Sequence, residues 1–101
     1  MDINVTDLKA RMDKGESDFV LIDVREPHEH EAFNIGGQLV PLGNIMAELP
    51  KLQESADKEV IVYCRSGGRS GMAQSLMQQA GFKQVRNLTG GMLAWQDTFG
   101  G

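Results

Sequence analysis

The chain has 101 residues, a formal charge of 10 − 14 = −4, 41% hydrophobic and 24% charged residues, and a single cysteine. That length suits one domain with one ordinary core, and the acidic balance gives no footing for nucleic-acid binding. One thiol excludes an internal disulfide and a thiolate zinc site, and leaves no second thiol to resolve an oxidised first one.

The N-terminus, Met1-Asp2-Ile3-Asn4-Val5, has no basic region followed by an apolar run, the pattern of a secretory leader. No apolar stretch approaches the ~20 residues of a membrane span. The expected location is therefore cytoplasmic, with no membrane partner.

Thr6 is placed to cap a short helix with Leu8 and Met12 on one face and Gly15 past its end. Phe19-Val20-Leu21-Ile22-Asp23-Val24 is a near-continuous apolar run, as expected for a strand covered on both faces of a parallel sheet. Pro27 suits the first position of a helix running through Phe33, because its missing N–H costs nothing there. Ile35-Gly36-Gly37 breaks the chain, and Leu39-Val40-Pro41-Leu42 reads as a short peripheral strand. Residues 44–49 form a weak helix candidate stopped by Pro50, and a polar turn, Ser55-Ala56-Asp57-Lys58, leads into the strand Val60-Ile61-Val62-Tyr63.

From Ser70 the pattern is helical, with Met72, Ala73, Leu76, Met77 and Ala80 on one face and Gly81 at the end. Val85-Arg86-Asn87-Leu88 is the last strand, and Thr89-Gly90-Gly91 turns into a helix carrying Met92, Leu93, Trp95 and Gln96. The helical methionines and Trp95 read as packing, and Phe99 as the residue that closes the core. Strands alternating with helices imply parallel β/α/β units with helices on both faces. Sites in such sheets lie beyond the C-terminal strand ends, where Asp23, Arg25 and Cys64 all fall.

Cys64 is followed by Arg65-Ser66-Gly67-Gly68-Arg69-Ser70. A strand, a glycine-rich loop and a helix start point several backbone N–H groups into one anion-binding cup. A thiol at that cup is driven toward thiolate by the amides, the helix dipole and the guanidiniums. The plain alternative is a small buried hydrophobe, the usual fate of a lone cysteine. Its position at a strand end, with an arginine directly after it, favours the reactive reading. Arg69 at a helix N-terminus is unfavourable unless something negative sits beside it, which points to an anion.

Loop length separates two chemistries. Cysteine-dependent phosphatases resemble one another in a cysteine, five residues and an arginine. Here four residues, 65–68, separate Cys64 from Arg69, and Ser70 takes the place of the phosphatase arginine. The smaller ring suits a single sulfur on Cys64 better than a tetrahedral phosphate.

Asp23-Val24-Arg25-Glu26-Pro27, the loop from Cys64 to Ser70, and the tail from Gly81-Phe82 through Asn87-Leu88-Thr89-Gly90-Gly91 to Trp95 together resemble the rhodanese family. The match runs in order over essentially the whole chain, so residues 1–101 read as a single rhodanese-like domain. The resemblance implies an α/β fold with a five-stranded, mostly parallel sheet and helices on both faces. It also implies a sulfurtransferase that carries sulfane sulfur as a persulfide on catalytic Cys64, with no cofactor and no metal. The amides of Arg65, Ser66, Gly67, Gly68, Arg69 and Ser70 would cradle the persulfide. Arg65 and Arg69 would help bind a small anionic donor such as thiosulfate, and a thiol or a protein would accept the sulfur.

The chain departs from the family at Phe33-Asn34-Ile35-Gly36-Gly37, which lacks the usual proline. It departs again at Thr89, where an acidic residue commonly precedes Gly-Gly and would be placed to pair with Arg25. Asp23 and Arg25 stand as supporting candidates and read first as a structural pair. His28 and His30, with Glu29 and Glu31, are two apart on a helix, which puts them on different faces, so they read as a solvated surface and not as metal ligands. Two further readings stay open: a persulfide relay fed by a partner protein, and a redox or binding module on the same fold.

Overall fold

The structure is a computed structural model and describes residues 2–100. Among these residues four strands, β1 (Phe19–Asp23), β2 (Gln38–Leu39), β3 (Glu59–Tyr63) and β4 (Gln84–Asn87), form a parallel sheet in the order β2-β1-β3-β4. Helices α1 (Val5–Asp13), α2 (Pro27–Ala32), α3 (Ile45–Leu52), α4 (Gly68–Gln79) and α5 (Gly91–Phe99) alternate with them. The chain is the expected α/β fold.

β3 is buried almost throughout because both faces are covered. Val60 and Val62 face one way and pack with Ile45 and Leu49 of α3 and Ala73 and Met77 of α4. Ile61 and Tyr63 face the other way and pack with Val5 and Leu8 of α1 and Met92 and Trp95 of α5. Side chains alternate along a strand, so a continuous apolar run serves two layers at once. Full burial of each such side chain contributes about 1.5–3 kcal/mol before entropy is counted. The register pairs Asp23 with Tyr63 and Val62 with Asn87. The chain therefore leaves β1, β3 and β4 along one edge, carrying Arg25, Cys64 and Gly90 to the same side.

The sheet has four strands where the resemblance implied five. The place of the fifth is marked by Ile3, which makes one parallel bridge to Leu88 through Ile3 N–Asn87 O at 3.1 Å and Thr89 N–Ile3 O at 2.8 Å. It stops there because the Asn4 side chain accepts from Asp7 N at 2.8 Å and starts α1 at Val5. Asn4 is thus the cap, not Thr6, which lies inside the first turn.

Three other expectations are corrected. Pro50 lies within α3 and does not stop it, because Leu49 and Leu52 on either side are buried in the core; that burial outweighs the lost helical bond. Met46 and Met72 are 64% and 60% exposed, the inner face of α4 being Ser70, Ala73 and Met77. Phe99 is 39% exposed and stacks edge-on against Trp95 at 5.0 Å, outside the core.

Candidate active site

Immediately after β3 the chain bends back on itself at Gly67, whose φ of 109° lies in the left-handed region that side chains disfavour. That residue caps α4, which starts at Gly68, two residues before Ser70. Gly68 and Arg69 therefore present the free amides of a helix N-terminus. Cys64 is 1% exposed, so it is as buried as a structural cysteine, yet its sulfur is surrounded by donors. Gly67 N lies 3.1 Å from Sγ, Ser70 N 3.4 Å and Ser70 Oγ 3.3 Å. Burial alone would push the thiol up. Hydrogen bonds from the Ser70 hydroxyl and from the amides of Ser70, Gly67 and Ser66 overcome it and hold the thiol below its ordinary value.

Ser70 is wholly buried, and its hydroxyl also meets Asn87 Oδ1 at 2.6 Å. Asn87, at the end of β4, donates from Nδ2 to the Gly67 carbonyl at 3.0 Å. One side chain thus ties the middle of the loop, at Gly67, to its far end, at Ser70. Asn87 appeared in the sequence only as part of a tail motif; nothing local marks a residue 17 positions from Ser70 as its partner.

The two loop arginines differ. Arg69 forms a bidentate pair with Glu29 of α2, Nη1–Oε1 at 2.7 Å and Nη2–Oε2 at 2.8 Å. The negative charge that Arg69 requires at the helix start is therefore this carboxylate, and no bound anion need be invoked for it. Hydrogen bonds from Arg69 and the amide of Glu26 outweigh burial and hold Glu29 at about 2. Arg65 is exposed, and among the described residues no side chain pairs with its guanidinium.

Asp23 and Arg25, at the end of β1 beside Tyr63, are both buried. Asp23 Oδ1 accepts from Arg25 N at 3.0 Å and Nε at 2.9 Å, and Oδ2 accepts from Arg25 Nη2 at 2.8 Å. His30 Nδ1 lies 2.8 Å from the same Oδ2, so that nitrogen carries the proton and donates. Burial works to raise the Asp23 carboxyl, but these bonds keep it below its usual value. Arg25 also donates to the Phe33 carbonyl at 2.6 Å, bracing the segment that lacks the family's proline. Gly37 N donates to Tyr63 Oη at 3.3 Å, and a Cβ at Gly37 would lie 2.6 Å from the Tyr63 ring. The sequence suggested a solvated face for all four, but Glu29 and His30 are half-buried and paired, and of the four only His28 and Glu31 are exposed. Arg25 finds its partner in Asp23, which makes the absence of an acid at Thr89 tolerable.

The start of α5 holds the loop from behind. Met92 N donates to the Cys64 carbonyl at 3.0 Å and Leu93 N to the Arg65 carbonyl at 2.9 Å. This close approach requires glycine at 91: its φ is 54°, and a Cβ there would lie 2.7 Å from the Arg65 carbonyl group.

Comparison with known proteins agrees with this fold. The family model described as the rhodanese-like domain matches residues 4–98. A protein named sulfurtransferase from Allochromatium vinosum is 38% identical over 84 residues, covering 77% of this chain and 72% of that one. A putative sulfur carrier protein, YrkF, from Bacillus subtilis is 37% identical over 95 residues, covering 93% of this chain and 50% of that one. The chain thus spans only half the length of the second relative. Among solved structures, a rhodanese-related protein from Thermoplasma volcanium superposes with a TM-score of 0.84 at 26% identity, covering 97% of this chain and 92% of that one. A human single-domain sulfurtransferase, TSTD1, shares the fold with a TM-score of 0.80 at 22% identity, each chain 95% covered. With a cysteine loop at the head of α4 and a family match over nearly its whole length, the chain belongs to the rhodanese-like family of sulfurtransferases.

Proposed function

We propose that the protein moves sulfane sulfur from a small anionic donor such as thiosulfate to a thiol or protein acceptor, through a persulfide on Cys64. The observation that carries this reading is the set of donors aimed at one buried sulfur: Gly67 N, Ser70 N and Ser70 Oγ, all within 3.4 Å of Sγ. They favour thiolate in a site from which water is excluded.

The thiolate attacks the outer sulfur of thiosulfate. An Sγ–S bond forms, the donor's S–S bond breaks, and its electron pair leaves on sulfite. In the second half, an acceptor nucleophile takes the outer sulfur and the bond pair returns to Sγ. In this reading the free amides of Gly68 and Arg69, at the helix N-terminus, receive the charge on the outer sulfur. Arg65 is the cation available to the donor. Two separate half-reactions give ping-pong kinetics.

Intact mass after incubation with thiosulfate tests the reading. The expected result is a gain of one sulfur, lost on adding cyanide or a reductant and absent in Cys64→Ser. No gain, or substantial transfer by Cys64→Ser, overturns it. A relay reading draws support from the relative named as a putative sulfur carrier. Slow loading from thiosulfate with fast loading from a cysteine-desulfurase-type protein would favour that reading.

A further inference from the structure

Ser70 Oγ lies 2.6 Å from Asn87 Oδ1 and 3.3 Å from Cys64 Sγ. A serine hydroxyl has one proton to donate, so it serves one of these acceptors at a time. The Asn87 amide is fixed in orientation, because Nδ2 donates to the Gly67 carbonyl at 3.0 Å. Turning it over would set two carbonyl oxygens against each other. Ser70 is wholly buried, so water offers no third choice.

Resting on the reading that Cys64 carries sulfur, we propose that Asn87 Oδ1 is the resting acceptor of the Ser70 proton, which swings to Cys64 Sγ when that sulfur becomes a thiolate. Asn87 is a positioning residue that acts through Ser70. A neutral thiol, or the inner sulfur of a persulfide, is a weak acceptor, and the shorter O–H···O bond prevails. A thiolate draws the hydroxyl to itself, since hydrogen bonds to a charge are the stronger ones.

The swing follows the charge through both half-reactions. As Sγ bonds to the donor's sulfur and sulfite leaves with the electron pair, Sγ becomes neutral and the hydroxyl turns back to Asn87. As the acceptor removes the outer sulfur, the bond pair returns to Sγ and the hydroxyl turns to meet it. Ser70 keeps its proton throughout, so no proton or electron is consumed. Each thiolate forms at the expense of the Asn87 bond, and Asn87 thereby keeps Cys64 more basic, and more nucleophilic per thiolate, than the cup alone would.

The test is the pH dependence of alkylation of free Cys64 by iodoacetamide. Asn87→Ala leaves Ser70 free for the sulfur, and the midpoint is expected to fall by about half a unit, roughly a threefold rise in thiolate fraction at lower pH. Asn87→Asp supplies a stronger acceptor and a charge, and the midpoint is expected to rise. In a Ser70→Ala background, Asn87→Ala is expected to move it no further. The surrounding charges, Arg65 and Arg69 of the loop, Glu29 against Arg69, and Asp23 with Arg25 at the end of β1, stay unaltered in every variant. If Asn87 were only a tie to Gly67, loosening the cup would raise the midpoint in both single variants, and that result overturns the proposal. A fall that persists without the Ser70 hydroxyl overturns it as well. Should Asn87→Ala fail to fold, Asn87→Ser removes the amide oxygen while leaving a smaller polar group at that position. The titration uses no sulfur donor, so it judges Asn87 even in a protein that never loads sulfur; the mass measurement judges loading separately.

Discussion

Glu29 and Arg69, 40 residues apart in the chain, face each other in two parallel hydrogen bonds of 2.7 and 2.8 Å. The pair fastens α2 to the head of α4 and neutralises the half-buried one of the two loop arginines. Arg65 is left as the guanidinium open to an incoming anion.

Releasing Arg69 should therefore improve anion capture. Glu29→Gln is expected to lower KM for thiosulfate about threefold, a gain of less than 1 kcal/mol. It should also cost about 1 kcal/mol of stability, the pair being partly exposed. Steady-state kinetics beside a denaturant titration separate the two effects. Lower stability with an unchanged KM would make the pair purely structural.

Arg65→Ala should act in the opposite sense. KM for thiosulfate is expected to rise about tenfold, or ~1.4 kcal/mol, while use of an uncharged persulfide donor changes less than about twofold. Equal losses with both donors would remove Arg65 from the donor contact.

The hydrogen bonds on Sγ set the pH dependence. Cys64 is held low in the folded protein, so its alkylation rate should climb with pH and reach half its maximum below the ordinary thiol value of about 8.5. Ser70→Ala removes one donor to the thiolate and is expected to raise that midpoint by about one unit, ~1.4 kcal/mol. A midpoint unmoved by Ser70→Ala would show that the backbone amides alone hold the charge.

Gly91→Ala tests the support behind the loop. The added methyl would meet the Cys64 and Arg65 backbone, and φ at 91 is 54°. Both penalties oppose the native loop position, so a loss of about 2–4 kcal/mol is expected. A thermal melt or denaturant curve near wild type would mean the loop can shift without cost.

At the far end of the sheet, Glu59 accepts from Arg11 at 2.8 and 2.7 Å and from Arg86 at 2.7 Å. Those bonds, chiefly Arg11's, hold it at about 2 in the folded state, below its ordinary 4.5. The linked stability is complete above pH ~4.5, where the unfolded carboxyl is ionised, and is lost as pH falls toward about 2. Glu59→Gln is expected to cost about 2 kcal/mol at pH 7 and to flatten part of this acid slope. Glu29 titrates in the same range and keeps its own share. A slope identical to wild type would rule Glu59 out as a source of acid sensitivity.

Much of this architecture could be read from the chain because the deciding signals are local. The apolar runs at 19–24 and 60–63 report burial on two faces, and Gly67 and Gly90-Gly91 mark places where the backbone turns through left-handed conformations. The thiol, the glycines and the helix start are contiguous, so the donor cup is legible in the sequence alone. Pairings across the chain were not. Glu29 and His30 look like any exposed acid and histidine until the sheet brings Arg69 and Asp23 beside them. Asn4 and Thr6 are both cap types two residues apart, and the Asn4 side chain, the better cap of the two, takes Asp7 N and starts the helix at Val5. Pro50 reads as a stop because local rules carry no term for the burial of Leu49 and Leu52.

The contacts from α5 have a consequence for the sulfur, to which that helix donates no hydrogen bond among the described residues. A peptide group whose carbonyl accepts a strong hydrogen bond becomes more polarised, and its own N–H becomes a better donor. The Arg65 carbonyl, held by Leu93 N at 2.9 Å, belongs to the same peptide unit as the Ser66 N–H that helps lower the thiol. The start of α5 is therefore expected to act on the cysteine as a remote electron-withdrawing substituent. Its influence passes through one peptide plane, so changes at the start of α5 should alter sulfur reactivity without altering a single contact to the sulfur.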